Sequence, residues 1–307
     1  MDAGDARLEA VVVSFNSAQV LPSCLDALRR EGARPIVVDN ASGDDSVAVA
    51  QAHGARVIRN ARNEGYGRAN NIGIRAADGD YALVINPDAV LDPGALAGLL
   101  AAAERYPDAA LLAPRIVEND GRFFFQFRSL LSSFLANPSG ARRFPEGDCC
   151  APFLSGAALL VRRDVFLAIG GFDENIFLFY EDDDLCRRLA DAGRSLVHVH
   201  GATARHRRGA SSAPDLARAF NVRWHLAWSR AYVSRKYGLP DPAPGAALVN
   251  GLKALGSLLI LDRARAARYG GSAAGAWAWL RGRDALSRQG LEKKGPAEEG
   301  LAGAAGS

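Results

Sequence analysis

Cysteine is scarce in this chain: four in 307 residues, at Cys24, Cys149, Cys150 and Cys186. None shows C-x-x-C spacing or a paired-histidine pattern. Cys149 and Cys150 are adjacent, a poor geometry for bridging to each other. Structural zinc and a disulfide framework are therefore excluded, and a reduced, cytoplasmic setting is expected. No run of 18 or more apolar residues occurs, so no membrane span is expected. Residues 1–9 are polar and acidic, without the basic start and apolar stretch of a secretory leader. No internal repeat is visible, and no nucleic-acid partner is expected.

Apolar residues are plentiful, at 49% of the chain, enough to bury a substantial core. Charged residues make up an ordinary 23%. The net charge of +3 hides an asymmetry. Residues 201–307 carry 17 Lys+Arg against 7 Asp+Glu, whereas residues 1–200 carry 20 against 27. An acidic body suits a metal site, and a basic C-terminal part suits an anionic partner such as a diphosphate or a lipid head group.

The first half alternates apolar runs with helical periodicity. Residues 8–15, 35–39, 55–59 and 81–86 read as buried strands, and residues 19–30, 47–53 and 67–77 as helices between them. This order implies an α/β fold, a mostly parallel sheet with helices on both faces. Ligands in such sheets sit beyond the carboxyl ends of the strands. The polar residues there are Ser14 and Asn16, Asp39 and Asn40, and Asn86 and Asp88. A helix over 96–105 and a strand over 109–113 follow. Residues 119–148 are irregular and carry Phe123, Phe124, Phe125 and Phe127, which suit either a hairpin packed on the core or an acceptor-side loop. A strand over 157–161 and helices over 163–169 and 182–192 come next. Helices are expected over 215–237, 246–268 and 272–288. Trp277 and Trp279 beside Arg281, Arg283 and Arg288 fit either an interfacial membrane contact or a cap on the sheet domain.

Five segments carry candidate chemistry. Asp39 ends the second strand, where a carboxylate can accept from a base N–H or a ribose hydroxyl, or simply make a turn. Asn63-Glu64-Gly65-Tyr66-Gly67 precedes a helix and suits either a phosphate loop or an ordinary turn. Asn86-Pro87-Asp88 ends the fourth strand, where a rigid carboxylate can hold Mg²⁺ or Mn²⁺ against a diphosphate. Glu181-Asp182-Asp183-Asp184 places four carboxylates together between apolar flanks. Their mutual repulsion favours a function over a solvated face, although a helix start tolerates acids. His206 lies among Arg205, Arg207 and Arg208, a set that can close over a diphosphate.

Taken together these segments resemble the family 2 inverting glycosyltransferases, which have the GT-A fold. The matching pieces run in the family's order: residues 12–16 (VVSFN), 38–42 (VDNAS), 63–67 (NEGYG), 86–88 (NPD), 155–157 (SGA), 171–174 (GFDE), Glu181-Asp182 and His206. They span roughly residues 8–237, and Asn-Pro-Asp is most similar to the rhamnosyltransferase branch. The resemblance implies donor contacts at Ser14, Asn16, Asp39, Asn63, Gly65, Asn86 and Arg207. It implies a divalent metal, Mg²⁺ or Mn²⁺, on Asp88 and His206. Asp182 would be the general base, with Glu181 its neighbour in the acidic pair. The family often has Asp where this chain has Asn86, which removes one charge from the metal site.

The implied reaction is a single displacement that inverts the anomeric centre. The expected donor is a nucleotide sugar, dTDP-L-rhamnose first. A UDP-hexose donor and a non-catalytic sugar-nucleotide-binding protein are the rivals. The expected acceptor is a glycan or a lipid-linked sugar, met at the cytoplasmic face of an anionic membrane through residues 215–288. The expected organisation is a GT-A domain over 1–214, a helical region over 215–289 and a disordered tail over 290–307.

Overall fold

A computed structural model describes residues 8–127, 129–131, 144–207 and 215–291. In chain order the elements begin β1 (Glu9–Ser14), α1 (Leu21–Arg30), β2 (Arg34–Asp39), α2 (Ser46–Ala52), β3 (Arg56–Arg59), α3 (Tyr66–Ala76) and β4 (Tyr81–Ile85). They continue β5 (Ala89–Leu91), α4 (Ala95–Arg105), β6 (Ala109–Glu118), β7 (Phe123–Phe124), β8 (Cys149–Cys150), β9 (Ala158–Arg162), α5 (Arg163–Ala168), α6 (Glu181–Asp191) and β10 (Ser195–His206). Three helices close the chain: α7 (Leu216–Lys236), α8 (Ala243–Leu259) and α9 (Arg263–Leu280).

One sheet runs β3-β2-β1-β4-β9-β6-β10-β5, with β7 added to β6 and β8 to β10. β1 is parallel to β2 and β4, and β2 to β3. Their apolar runs are buried on both faces. Ala10 and Val12 of β1 pack with α1 and α4, while Val11 and Val13 pack with α3, α5 and α6. Continuous Val and Ile runs are what a sheet sandwiched between two helical layers requires. β9 is antiparallel to both neighbours, β4 and β6, and β10 returns to parallel beside β6. An antiparallel strand needs no crossover helix, and β9 follows β8 without one. The architecture is the GT-A arrangement with a C-terminal helical region.

Two features of the sheet differ from the expected strand ends. The strand expected over 109–113 continues to Glu118, and a long strand, β10, runs from Ser195 to His206. β10 changes partner along its length. Leu196 to Val199 pair with β6, the register shifts before Thr203, and Ala204 to His206 pair with both β6 and β5. Such irregularities re-aim a strand. Here the shift carries the end of β10 to the turn after β4.

The helical region departs further. The expected helices over 246–268 and 272–288 are replaced by breaks at 260–262 and 281. Leu261 sits in the left-handed region, φ 58°, and Asp262 caps α9 by accepting from the Arg265 N–H. Gly270-Gly271, between the two expected helices, lies inside α9. A methyl group at Gly271 or Gly275 would overlap the main-chain carbonyl oxygen of Phe220 or Trp224 in α7. These glycines let two helix backbones touch rather than ending a helix. Trp224, Trp228, Tyr232 and Trp279 pack between α7 and α9, with Trp228 and Trp279 edge to face at 5.5 Å. The expected tail over 290–307 lies outside the described residues from 292. Leu291 itself is buried with Leu286 and Phe177.

The close packing makes a stability prediction. Gly251, in α8, has nothing within 4 Å of an added Cβ. Gly251→Ala should stabilise by about 0.5–1 kcal/mol through helix propensity. Gly275→Ala should destabilise by about 1–3 kcal/mol despite the same propensity gain, because α7 and α9 must separate. Urea denaturation of both variants checks the opposite signs.

Candidate active site

Ser14 and Asp39 end β1 and β2 and are register partners. Both side chains are buried. Asp39 accepts from the Ser42 N–H through Oδ2 at 3.1 Å. Asp39 Oδ1 and Ser14 Oγ are buried without a hydrogen-bond partner. Asn16 ties the loops after β1 and β2 together. Its Oδ1 accepts from the Gly43 N–H at 2.8 Å and its own N–H donates to Ser42 Oγ. Asn16 and Ala41 both take left-handed backbone, φ 51° and 63°. Such conformations cluster where loops are held for function.

Asn63 and Gly65 serve an internal frame. Asn40 is its hub: Oδ1 accepts from Asn60 Nδ2 and the Glu64 N–H, and Nδ2 donates to Asn63 Oδ1 and the Gly65 carbonyl. Asn63 Oδ1 also accepts from the Gly65 N–H at 2.9 Å. Gly65 takes φ 84°, and a Cβ there would overlap the Phe177 carbonyl. That carbonyl accepts from the Tyr66 N–H at the start of α3. The segment thus clamps the chain leading into α6, and one N–H of the α3 N-terminus is already taken.

Asn86 and Asp88 meet His206, which is more than a hundred residues away in sequence. His206 is the register partner of Ala89, and its Nε2 lies 3.1 Å from Asp88 Oδ1 and 3.5 Å from Asn86 Nδ2. The Arg207 N–H donates to the Asp88 carbonyl at 2.9 Å, while its side chain is exposed. All three clustered side chains are mostly buried, and Asn86 Oδ1 has no partner. Among the described residues no three His, Cys, Asp or Glu side chains converge. The set here is one carboxylate, one imidazole and one amide oxygen. It fits an ion that draws its remaining ligands from phosphate and water, as Mg²⁺ and Mn²⁺ do.

The four acidic residues opening α6 divide their work. Asp184, fully buried, is held by Arg188 at 2.8 Å, Lys236 at 2.6 Å and the Tyr237 hydroxyl at 2.8 Å. Lys236 also reaches Asp173, and together they fasten α7 to α6. Burial raises Asp173, but the Lys236 charge and its hydrogen bonds win and leave it below the usual carboxylate range. Asp183 accepts from the Ser129 hydroxyl. Among the described residues no cation pairs with Glu181 or Asp182. Asp182 Oδ2 accepts from the Gly156 N–H at 2.8 Å, while Asp182 Oδ1 and Glu181 Oε2 are buried and partnerless. Burial, opposed by the Gly156 N–H and reinforced by Asp183, pushes Asp182 up to about 7. Burial and the Asp182 charge hold Glu181 well above its ordinary range. Phe179 and Tyr180, φ 68° and 66°, turn the chain into α6 through two successive left-handed residues.

Gly156 joins the two centres. Its N–H holds Asp182, and the next residue's carbonyl, Ala157 O, accepts from the Asn86 N–H at 3.0 Å. A Cβ at Gly156 would come 2.5 Å from Asp182 Oδ1. The Tyr66 hydroxyl donates to Gly156 O at 2.7 Å. Burial raises Tyr66, and the charges of Asp182, Glu181 and Asp88 add to the rise against a lowering hydrogen bond with Asn70. Sequence reasoning assigned no role to Gly156 or Tyr66. Their positions inside matched motifs were the available signal.

The mostly parallel sheet between helical layers is the GT-A class of glycosyltransferase fold. A family model described as glycosyl transferase family 2 matches residues 9–170, and the chain belongs to that family. It is 33% identical to the N-acetylglucosaminyl-diphospho-decaprenol L-rhamnosyltransferase of Mycobacterium tuberculosis, covering 68% of this chain and 79% of that one. It is 30% identical to the rhamnosyltransferase WbbL of Escherichia coli, over 56% of this chain and 71% of the relative. Among solved structures, the mannosyltransferase PcManGT of Pyrobaculum calidifontis, in complex with GDP-Man and Mn²⁺, superposes with a TM-score of 0.54 at 15% identity. That match covers 91% of this chain and 88% of that one, and it shows the shared fold.

The raised Asp182 carboxyl has a measurable linkage. A carboxyl whose folded pKa exceeds its unfolded value favours the fold below the unfolded value, and that contribution is lost as pH rises through about 7. Asp182→Asn removes the loss. Its Tm relative to the unsubstituted protein should therefore climb between pH 5 and 8, by about 2–4 °C for each kcal/mol relieved. Parallel thermal scans across that range check the sign.

Proposed function

We propose that the protein transfers L-rhamnose from a dTDP donor to a hydroxyl of a lipid-linked sugar, from the cytoplasm, with inversion at the anomeric carbon. The observation that carries this reading is the set of buried, partnerless oxygens at Ser14, Asp39, Asn86, Glu181 and Asp182. Leaving a buried polar group unpaired costs about 1–3 kcal/mol. Five such oxygens on motif residues are accounted for by ligands that complete them. The rhamnosyltransferase relatives, one of them named for a diphospho-decaprenol acceptor, support the sugar and the acceptor class.

In this reading Ser14 and Asp39 accept from the donor's base and ribose. Asn86, Asp88 and His206 hold a divalent cation, as Mn²⁺ accompanies GDP-Man in the solved relative. When bound, the cation supplies Lewis-acid stabilisation of the departing diphosphate. Asp182 takes the acceptor hydroxyl's proton through its free Oδ1 as that oxygen attacks the anomeric carbon opposite the leaving group. The Gly156 N–H fixes the carboxylate, and burial gives it a proton affinity matched to neutral pH. Glu181, its buried neighbour, is itself held well above its ordinary range by burial and the Asp182 charge. Arg207, exposed beside Asp88, faces solvent where a diphosphate can be met.

Purified protein given dTDP-L-rhamnose, UDP-hexoses and an N-acetylglucosaminyl-diphospho-polyprenol tests the reading, with product anomers assigned by NMR. Transfer from a UDP-hexose alone would overturn the donor, and retention would overturn the mechanism. Activity should rise with pH through about 7 as Asp182 ionises. Asp182→Asn should lower kcat by about 10²–10⁴ while leaving donor KM within a few-fold. Asn86→Asp restores a charge to the cation site and should tighten Mn²⁺ binding by about tenfold, read by calorimetry in the presence of dTDP.

A further inference from the structure

Helix α8 is built inside out. The side it turns to α7 and α9 carries small residues, with Ala243 buried against Ala231 and Ala276 and with Ala246 and Ala247 beside them. The opposite side carries Leu248, Leu252, Leu255 and Leu259, one stripe at helical spacing. That stripe is uncovered: Leu252 is 62% exposed, Leu255 61% and Leu259 85%. The stripe runs on into Ile260 and Leu261, 66% and 85% exposed, at the tip of the α8–α9 hairpin. Single exposed leucines are ordinary, but a contiguous apolar face of this length marks a contact surface.

The charges around the stripe choose its occupant. Residues 243–283 carry six basic residues, Lys253, Arg263, Arg265, Arg268, Arg281 and Arg283, against one acid, Asp262. Arg263 and Arg265 follow the apolar tip within one turn and are exposed. No described helix is long and apolar enough to cross a membrane. A surface helix with an apolar stripe and a basic border lies in the interface of an anionic bilayer. Two tryptophans expected at that interface separate. Trp279 is turned into the helical cap against Trp228, whereas Trp277 is half-exposed under Arg281 at 4.8 Å.

We infer that the α8–α9 hairpin is a membrane-docking element: the Leu248–Leu261 stripe enters the lipid surface and the flanking arginines take anionic phospholipid head groups. The contact is mechanically tied to the acid pair. α9 is locked to α7 through Gly271 and Gly275, and α7 is locked to α6 through Lys236, which bridges Asp173 and Asp184. Docking the hairpin therefore fixes the orientation of the Glu181–Asp182 face to the bilayer.

The test is flotation of the full chain with phosphatidylcholine vesicles and with mixed phosphatidylglycerol–phosphatidylcholine vesicles, without donor or acceptor. Vesicle binding is thus read independently of the rhamnosyl-transfer proposal. The expected result is binding to the mixed vesicles. Leu252→Glu/Leu255→Glu should lower it about tenfold or more, with unchanged circular dichroism and unchanged donor hydrolysis. Arg263→Gln/Arg268→Gln should abolish the preference for anionic lipid. Equal flotation of the leucine variant, or no flotation of the unsubstituted protein, would overturn the inference. So would a lipid-free dimer in sedimentation that the leucine substitutions convert to monomer, since a second copy would then cover the face.

Discussion

Asp182 holds one carboxylate oxygen 2.8 Å from the Gly156 N–H and leaves the other buried with no partner. An acid placed this way is expensive to ionise, because burial penalises the charge and Asp183 beside it adds to the cost. The surroundings are arranged to hold it there. Position 156 must be glycine, because any side chain would strike the carboxylate. Phe179 and Tyr180 must take left-handed backbone to start α6 at Glu181. The neighbouring Asp184 must be neutralised, and the protein does this from a distant part of the chain with Lys236 and Tyr237.

That constraint also explains how two centres separated by nearly a hundred residues remain in step. The Ser155–Ala157 segment enters β9 between them. One of its amides fixes Asp182, and the following carbonyl fixes the turn that carries Asn86 and Asp88. Tyr66 hydrogen-bonds to the same segment from α3, held by the Asn40 hub and the Phe177 carbonyl. The loops after β1 and β2, the Asn86–Asp88 turn and Asp182 are therefore linked through main-chain groups, which side-chain substitution cannot easily loosen. The helical region completes the linkage, since α7 supplies the cation for Asp184 and α9 supports α7.

Much of the sheet was legible in sequence, because β1, β2 and β4 are short Val-, Ile- and Leu-rich runs ending in polar residues. Those endings also located Ser14, Asp39 and Asp88. Less legible were the parts set by long-range pairing. The run to His206 is a strand because its last residues find β5, three residues past the Asn86 turn, and no local pattern announces that partner. Gly270-Gly271 lay between the helices expected over 246–268 and 272–288, and glycine is a poor helix former. In the structure, backbone contact with α7 outweighs propensity. Asn63 and Gly65 stood in a matched motif, yet their bonds turn inward to Asn40 and Phe177.

The sequence by itself determined the α/β order, the strand-end carboxylates, the acidic run and the basic, helical C-terminal part. These are properties of local periodicity and composition, which one stretch of chain carries alone. Tertiary structure decided which of the four acids in 181–184 keep a partnerless oxygen, because that depends on where Lys236, Arg188 and Ser129 arrive. It decided that Asn86, Asp88 and His206 meet, through the register of β10 on β5. It also decided that the leucines of α8 face outward, because the small residues on the other side of the helix are what fit against α9.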